Sequence, residues 1–445
     1  MNLKSIPPSL LLPLFMLLLP SCSENNQPLS GIDATREVKA AASIEAPRKP
    51  TLRATLTDSA SKTSDREEST TQGHDKMFGN FLCAEDGTKP FTAPLFPPHL
   101  ITRILPMGKV SSGTIGHVTP TDHLYIFRDV PSGDDLEYVL APADGMIVQI
   151  ERRGSDKRLD RDDPSSPLVP DYRMVLMHTC TFFTIFIHLG ELAPAIAENT
   201  GEIALGTSWF STRLGSVPVK AGEPLAKFGQ TSLDWSVHDA DTTLPGFVAP
   251  EHYRREPWKI HTIDPFQLYE EPFRTTLVSK TLRTVEPISG KIDYDIEDTI
   301  AGNWFMDGTV DYSGNVAPGA PRYWNGHLSI AYGYIDPTQV RIAIGFETGI
   351  DDERYCRICV GAYGVRANQP DPATVVPDSG LVKYELMSRK DVGGGEAVKE
   401  QVGTTSLGTF LVQHLGKRTI QVEVIPGKTP DEVPGFSDAS LIYRR

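Results

Sequence analysis

His178-Thr179-Cys180-Thr181-Phe182-Phe183-Thr184-Ile185-Phe186-Ile187-His188-Leu189 is dense in β-branched and aromatic residues, which suit a pleated, half-buried surface. A histidine ends it, so the His188 ring can project from a strand end. Similar short runs lie on either side, at 124–127, 146–150, 173–177 and 224–228, broken by Gly, Pro, Asp and Asn. This spacing predicts an all-β fold. Helical periodicity is scarce. Residues 191–198 are expected to make a turn or two, with Pro194 tolerable only near the start.

Polar residues mark the ends of these strands. His117 and Asp122 flank the turn Thr119-Pro120-Thr121, just before the run that starts at Leu124. Ala141-Pro142-Ala143-Asp144-Gly145 turns into the strand at 146. Val219-Lys220-Ala221-Gly222-Glu223-Pro224 is a tight turn ahead of Ser236-Val237-His238. His117, Asp122, His188 and His238 could therefore converge at one sheet. Zinc hydrolases take three protein ligands from His, Asp or Glu and keep the fourth position for water.

In order and local text these segments resemble the lysostaphin/LytM-type zinc endopeptidases. That family has His-x-x-x-Asp, an Ala-x-x-Asp-Gly turn, His-Gly-x-Gly-Tyr-x-Thr-x-Tyr-x-His-Leu, a Val-x-x-Gly-x-x-Ile-Gly turn and His-x-His. Here His178 and His188 are ten positions apart, with Phe182, Thr184, Phe186 and Leu189 at the intervening family positions, and residues 219–226 match the glycine turn. The resemblance spans roughly 105–240. It implies a LytM-like antiparallel β-sheet core with a barrel-sandwich-hybrid motif. It also implies zinc held by His117, Asp122 and His238, with His188 as the catalytic imidazole facing the substrate carbonyl. His178 matches a structural position. Two departures stand out. His117 and Asp122 are five apart rather than four, and Ser236 replaces the first histidine of His-x-His. Asp239, His123 and Asp234 are the candidates to supply the missing base. His261 and Asp264 form a second polar pair, either ligands or a satisfied turn.

The amino end reads as an export signal. Lys4 precedes the apolar run 9–19, which is too short to span a bilayer comfortably, and Leu19-Pro20-Ser21-Cys22 resembles a lipoprotein box. Residues 1–22 are thus expected to be a signal peptide with lipidation at Cys22. Residues 23–74 lack aromatics and carry a Ser/Thr/charge bias, as expected of a disordered tether. A LytM-like peptidase domain is expected at 75–280 and a β-rich domain, a small barrel or a sandwich, at 285–445. In the second domain the strands are read at 327–332, 340–346, 356–362, 381–386 and 409–424, with a hairpin turn at Gly416-Lys417. Net charge is −14 with no basic run, which argues against nucleic acid. Beyond Cys22, Cys83, Cys180, Cys356 and Cys359 allow three pairings. Cys356-Arg357-Ile358-Cys359 reads as two cysteines packed in a sheet.

Three functions follow as expectations. The first is a lipid-anchored zinc metallopeptidase of the bacterial cell envelope, at the outer membrane or cell surface, hydrolysing cell-wall peptide crosslinks. The second is a degenerate member that binds peptidoglycan peptides or a partner hydrolase without cutting, as Ser236 suggests. The third is a lipoyl-type carrier, since 141–148 and 219–229 look like two halves of a barrel-sandwich hybrid. About seventy residues separate those halves and no Met-Lys-Met turn joins them.

Overall fold

The computed structural model describes residues 89–112, 117–128, 138–159, 163–211, 217–230, 232–254, 256–309, 312, 323–350, 361–392 and 399–445. The expected leader with Cys22, the tether at 23–74, and Cys83, Cys356 and Cys359 lie outside them.

Among the described residues the first part of the chain builds a ten-stranded sheet. Its central path runs β1 (Ile101–Leu105), β2 (Leu124–Arg128), β12 (Ser232–Asp239), β8 (Phe182–Leu192), β7 (Tyr172–Thr179), β4 (Gly145–Arg152), β10 (Val217–Val219). Three short strands lie off this path. β3 (Tyr138–Leu140) pairs with β11 (Pro224–Phe228), which also joins β8, and β9 (Ser208–Phe210) joins β4. β5 (Lys157–Arg158) and β6 (Leu168–Val169) form a separate small pair. The ladders are antiparallel. The helix expected at 191–198 is α1 (Pro194–Thr200), with Pro194 in its first turn and Glu191-Leu192 still in β8. A second helix, α2 (Phe273–Lys280), has no clear apolar stripe in its sequence and was not expected.

Alternation along β12 sorts the side chains. Leu233, Trp235 and Val237 face the main core with Leu124, Ile126, Phe182 and Phe186. Asp234, Ser236 and His238 take the other face. Register sets them opposite Ile187, Ile185 and Phe183 of β8, and Arg173 of β7 lies opposite Ile187 in turn. A smaller apolar cluster of Val148, Val175, Met177, Phe183 and Ile185 supports this second face, with Trp258 packed against it. Trp258 belongs to a 3-10 segment, Pro257–His261, laid across the face.

The carboxyl-terminal part is a closed eight-stranded barrel, which decides between barrel and sandwich. It comprises β13 (Gly302–Met306), β14 (His327–Tyr332), β15 (Val340–Ile344), β16 (Gly361–Val365), β17 (Leu381–Val392), β18 (Lys399–Gly416), β19 (Thr419–Pro426) and β20 (Leu441–Arg444). The β18–β19 hairpin turns on Lys417 and Arg418, both at positive φ (47° and 53°), one position later than expected. Two successive left-handed residues are what a type I′ turn requires. The interior is filled by Trp304, Leu328, Ile330, Ile342, Tyr363, Phe410 and Val422 among others.

Candidate functional site

The polar face of β12 sits beneath a cavity of about 190 Å³. Its lining includes His117, Asp122, His123, Arg173, Lys259 and Trp324, with Ile185, Ile187, Ser236 and Trp258. His117 and Asp122 arrive from the loop before β2. Lys259 and Trp258 come from the 3-10 segment, and Trp324 precedes β14.

Asp122 is the most engaged carboxylate. Its Oδ1 lies 3.0 Å from His123 Nδ1, and its Oδ2 accepts from Trp258 Nε1 at 3.1 Å and lies 3.2 Å from Lys259 Nζ. Burial works to raise this carboxyl, but the Lys259 ammonium and His123 hold it well below the usual carboxylate range. Lys259 is the counterpart. Burial opposes its charge, yet Asp122, then Tyr312 and Glu256, keep it well above the usual ammonium value.

His238 lies inside the sheet, fully buried. Its Nδ1 donates to the Trp258 carbonyl at 2.9 Å, so its Nε2 accepts from the Ser236 hydroxyl at 2.8 Å. Burial pushes the ring down to about 4, which keeps it neutral. The Ser236 hydroxyl thus serves His238 and lines the cavity. His117 stands at the cavity wall, 5.7 Å ring to ring from Trp324 and 5.8 Å from His123. Burial, His123 and Lys259 hold it well below the usual imidazole value.

His188 is placed by a β-bulge. Tyr172 pairs with Leu189 and Arg173 with Ile187, so His188 is the extra residue, at φ 68°. A bulge re-aims one side chain out of strict alternation, and a non-glycine residue in this region costs about 1–2 kcal/mol. Gly190 and Gly229 permit the close backbone approach. A Cβ on Gly190 would lie 2.7 Å from the Phe228 carbonyl oxygen, and one on Gly229 2.7 Å from that of His188. The redirected imidazole spans two carboxylates, with Nδ1 3.0 Å from Asp171 Oδ1 and Nε2 3.4 Å from Asp234 Oδ2. Gln230 Nε2 also lies 2.7 Å from Nδ1. Asp234 Oδ2 is equally 3.4 Å from His123 Nε2. A continuous row results: Asp171, His188, Asp234, His123, Asp122, Lys259. The two contacts to Asp234 are ion-pair distances, and His123 Nε2 makes no hydrogen bond among the described residues.

The structure therefore gathers His117, Asp122 and His123 around the cavity, with His188 and Asp234 in the row behind and His238 beneath Ser236. Asp122 bonds to His123, and Ser236 to His238. Among the described residues no three His, Cys, Asp or Glu side chains are grouped to hold a metal ion. His238 has both nitrogens engaged, and Asp122 already faces a cation. His178 is held at both nitrogens, by the Asp144 carbonyl and Thr184 hydroxyl, each at 2.8 Å. Asp239 forms an ion pair with Lys89 at 2.9 Å, away from His188's partners. His261 donates to the Thr242 carbonyl at 2.7 Å, and Asp264 caps Phe266 N at 2.9 Å, which makes that pair a satisfied turn. Cys180, in the β7–β8 turn, is disulfide-bonded.

Sequence reading missed Lys259, Trp258, Asp171 and Arg173. They come from a 3-10 segment, from β7 and from the residue just before β7, and no motif marks them. The one available signal was Pro257, a helix-start residue just before Trp258-Lys259.

Fold and site define an all-β protein with a charged, partly enclosed cleft on one sheet face. No family model and no curated protein matches the chain. A solved structure, the NMR solution structure of lysostaphin, is similar over 84% of this chain and 91% of that one, at 10% identity and a TM-score of 0.19, a likeness too slight to bear on function.

Proposed function

We propose that this chain is a LytM-like protein of the bacterial envelope that binds peptidoglycan peptides and does not cut them. One observation carries the reading: the Lys259 ammonium lies 3.2 Å from Asp122. The positive charge that a metal would bring to that carboxylate is supplied by the chain itself. An ammonium held protonated neither lowers the pKa of a bound water as zinc does nor acts as a base at neutral pH. Ser236 and His238, bonded to each other, support the same reading. Export by residues 1–22, acylation at Cys22 and the tether at 23–74 are part of this proposal, since they would hold the cleft against the wall.

Isolated sacculi incubated with the full chain in detergent provide the test. The expected result is co-sedimentation without release of soluble wall fragments and with less than stoichiometric zinc. Release of crosslink-cleavage products by a zinc-loaded protein, abolished by His188→Ala, would establish the metalloendopeptidase reading instead.

A further inference from the structure

We propose that the cavity beside Asp122 is a carboxylate-binding subsite, in which Arg173 takes the free C-terminal carboxylate of a short peptide. The inference rests on the binding reading above and names the chemical group recognised.

The cavity's cations differ in their partners. Lys259 is shared by Asp122 at 3.2 Å and Glu256 at 3.5 Å. Arg153 lies 3.7 Å from Asp171. Arg173 has no carboxylate within ion-pair distance among the described residues. One of its N–H groups donates to Gln149 Oε1 at 3.2 Å, and the Trp258 ring lies 5.4 Å from its guanidinium carbon. A guanidinium carries five N–H donors in a planar fork that matches a carboxylate edge to edge. In a chain of net charge −14, a cation at a cavity wall without a carboxylate partner stands out.

The rest of the cavity suits a peptide end. Ile185, Ile187, Trp258 and Trp324 give apolar wall for a small side chain. The two His117 ring nitrogens carry no hydrogen bond among the described residues, so one can accept a peptide N–H. The 190 Å³ volume holds about six waters' worth of ligand, room for one or two small residues. Charge decides against a phosphate. Asp122 and Glu256 line the same space, so a dianion would meet two carboxylates, whereas a monoanion needs only the one free guanidinium.

Calorimetry on the full chain tests this, using N-acetyl-alanyl-alanine and its C-terminal amide. The acid is expected to bind at least tenfold more tightly than the amide. Arg173→Gln should lower acid affinity at least tenfold and leave amide binding unchanged, with Arg173→Lys intermediate. Equal binding of acid and amide by the wild type overturns the subsite even if Arg173→Gln does not fold. Displacement of the acid by equimolar inorganic phosphate also overturns it. Sacculus co-sedimentation run alongside separates the two ideas. Wall binding without acid preference sinks the subsite alone, and acid preference without wall binding sinks the wall reading alone.

Discussion

The sheet and the barrel treat buried charge in different ways. At the barrel, the buried guanidinium of Arg445 gathers backbone carbonyls as well as the Asp295 carboxylate 3.8 Å away. Arg445 donates to the carbonyls of Ile296 at 2.6 Å, Thr299 at 2.7 Å and Ala301, while its guanidinium carbon lies 4.0 Å from the Trp304 ring. Arg341 donates to the Val340 carbonyl and to Gln339 Oε1. In the sheet, buried titratable groups face one another: Asp171, His188, Asp234, His123, Asp122 and Lys259. A cation fixed by carbonyls locks a fold and has little else to do. A row of mutually facing acids and bases that reaches a cavity wall can respond to a ligand placed there. The difference separates the two regions: the row reaches the cavity that the sheet builds, and Trp324, just ahead of β14, lines the same cavity.

The largest effect that would sharpen this contrast is expected in the barrel. Trp304 is fully buried, and Trp304→Ala should cost about 5 kcal/mol in denaturant unfolding, the upper end for such truncations because Arg445 also loses its stacking surface. Peptide affinity of the fraction still folded should not change.

Lys259→Met comes next, at about 4 kcal/mol, because it strands a buried carboxylate. Adding Asp122→Asn should recover most of that loss, as no charge then remains unpaired. A barrel truncation should show no such rescue. If the double variant is as unstable as Lys259→Met alone, the ion pair is not what holds the cleft.

Acid should act on the sheet through its neutral histidines. His238 titrates near 4 in the folded chain because of burial, against about 6.5 unfolded. Its contribution is therefore complete above pH 6.5 and is lost as pH falls towards 4, amounting to about 3 kcal/mol. Asp122, held below the usual range, keeps its contribution through that window and loses it only at lower pH. Stability curves of His238→Gln between pH 7 and 4 should be flatter than wild type by that amount, and parallel curves would break the assignment.

The smallest effect belongs to the bulge. Asparagine tolerates the left-handed region, so His188→Asn should stay within about 1 kcal/mol of wild type, while His188→Val should lose more through backbone strain. Equal stability of the two variants would remove the strain argument.

Much of the architecture was legible locally. The strands at 124, 146, 173, 224, 327, 340 and 381 were read from β-branched and aromatic runs, because alternation and turn residues are properties of adjacent positions. β12 was not among them, because its Ser and Asp residues keep SLDWSVHD from reading as a β-branched or aromatic run even though polar and apolar residues alternate along it. His188 was read as a strand-end imidazole, whereas β8 runs past it to Leu192; His123 and Asp234 were read as candidate bases. Which face each one takes was not visible, since one bulge reverses the alternation.

By itself the sequence determined the all-β class and the position of most strands along the chain. Only the tertiary structure decided that the second half closes into a barrel, that Lys259 meets Asp122 across 136 intervening positions, and that Arg173 has no carboxylate at ion-pair distance among the described residues. The physical reason is range. Strand propensity is written in neighbouring residues, whereas the pairing of buried charges depends on which distant segments the sheet register and the 3-10 cover bring within about 4 Å of each other.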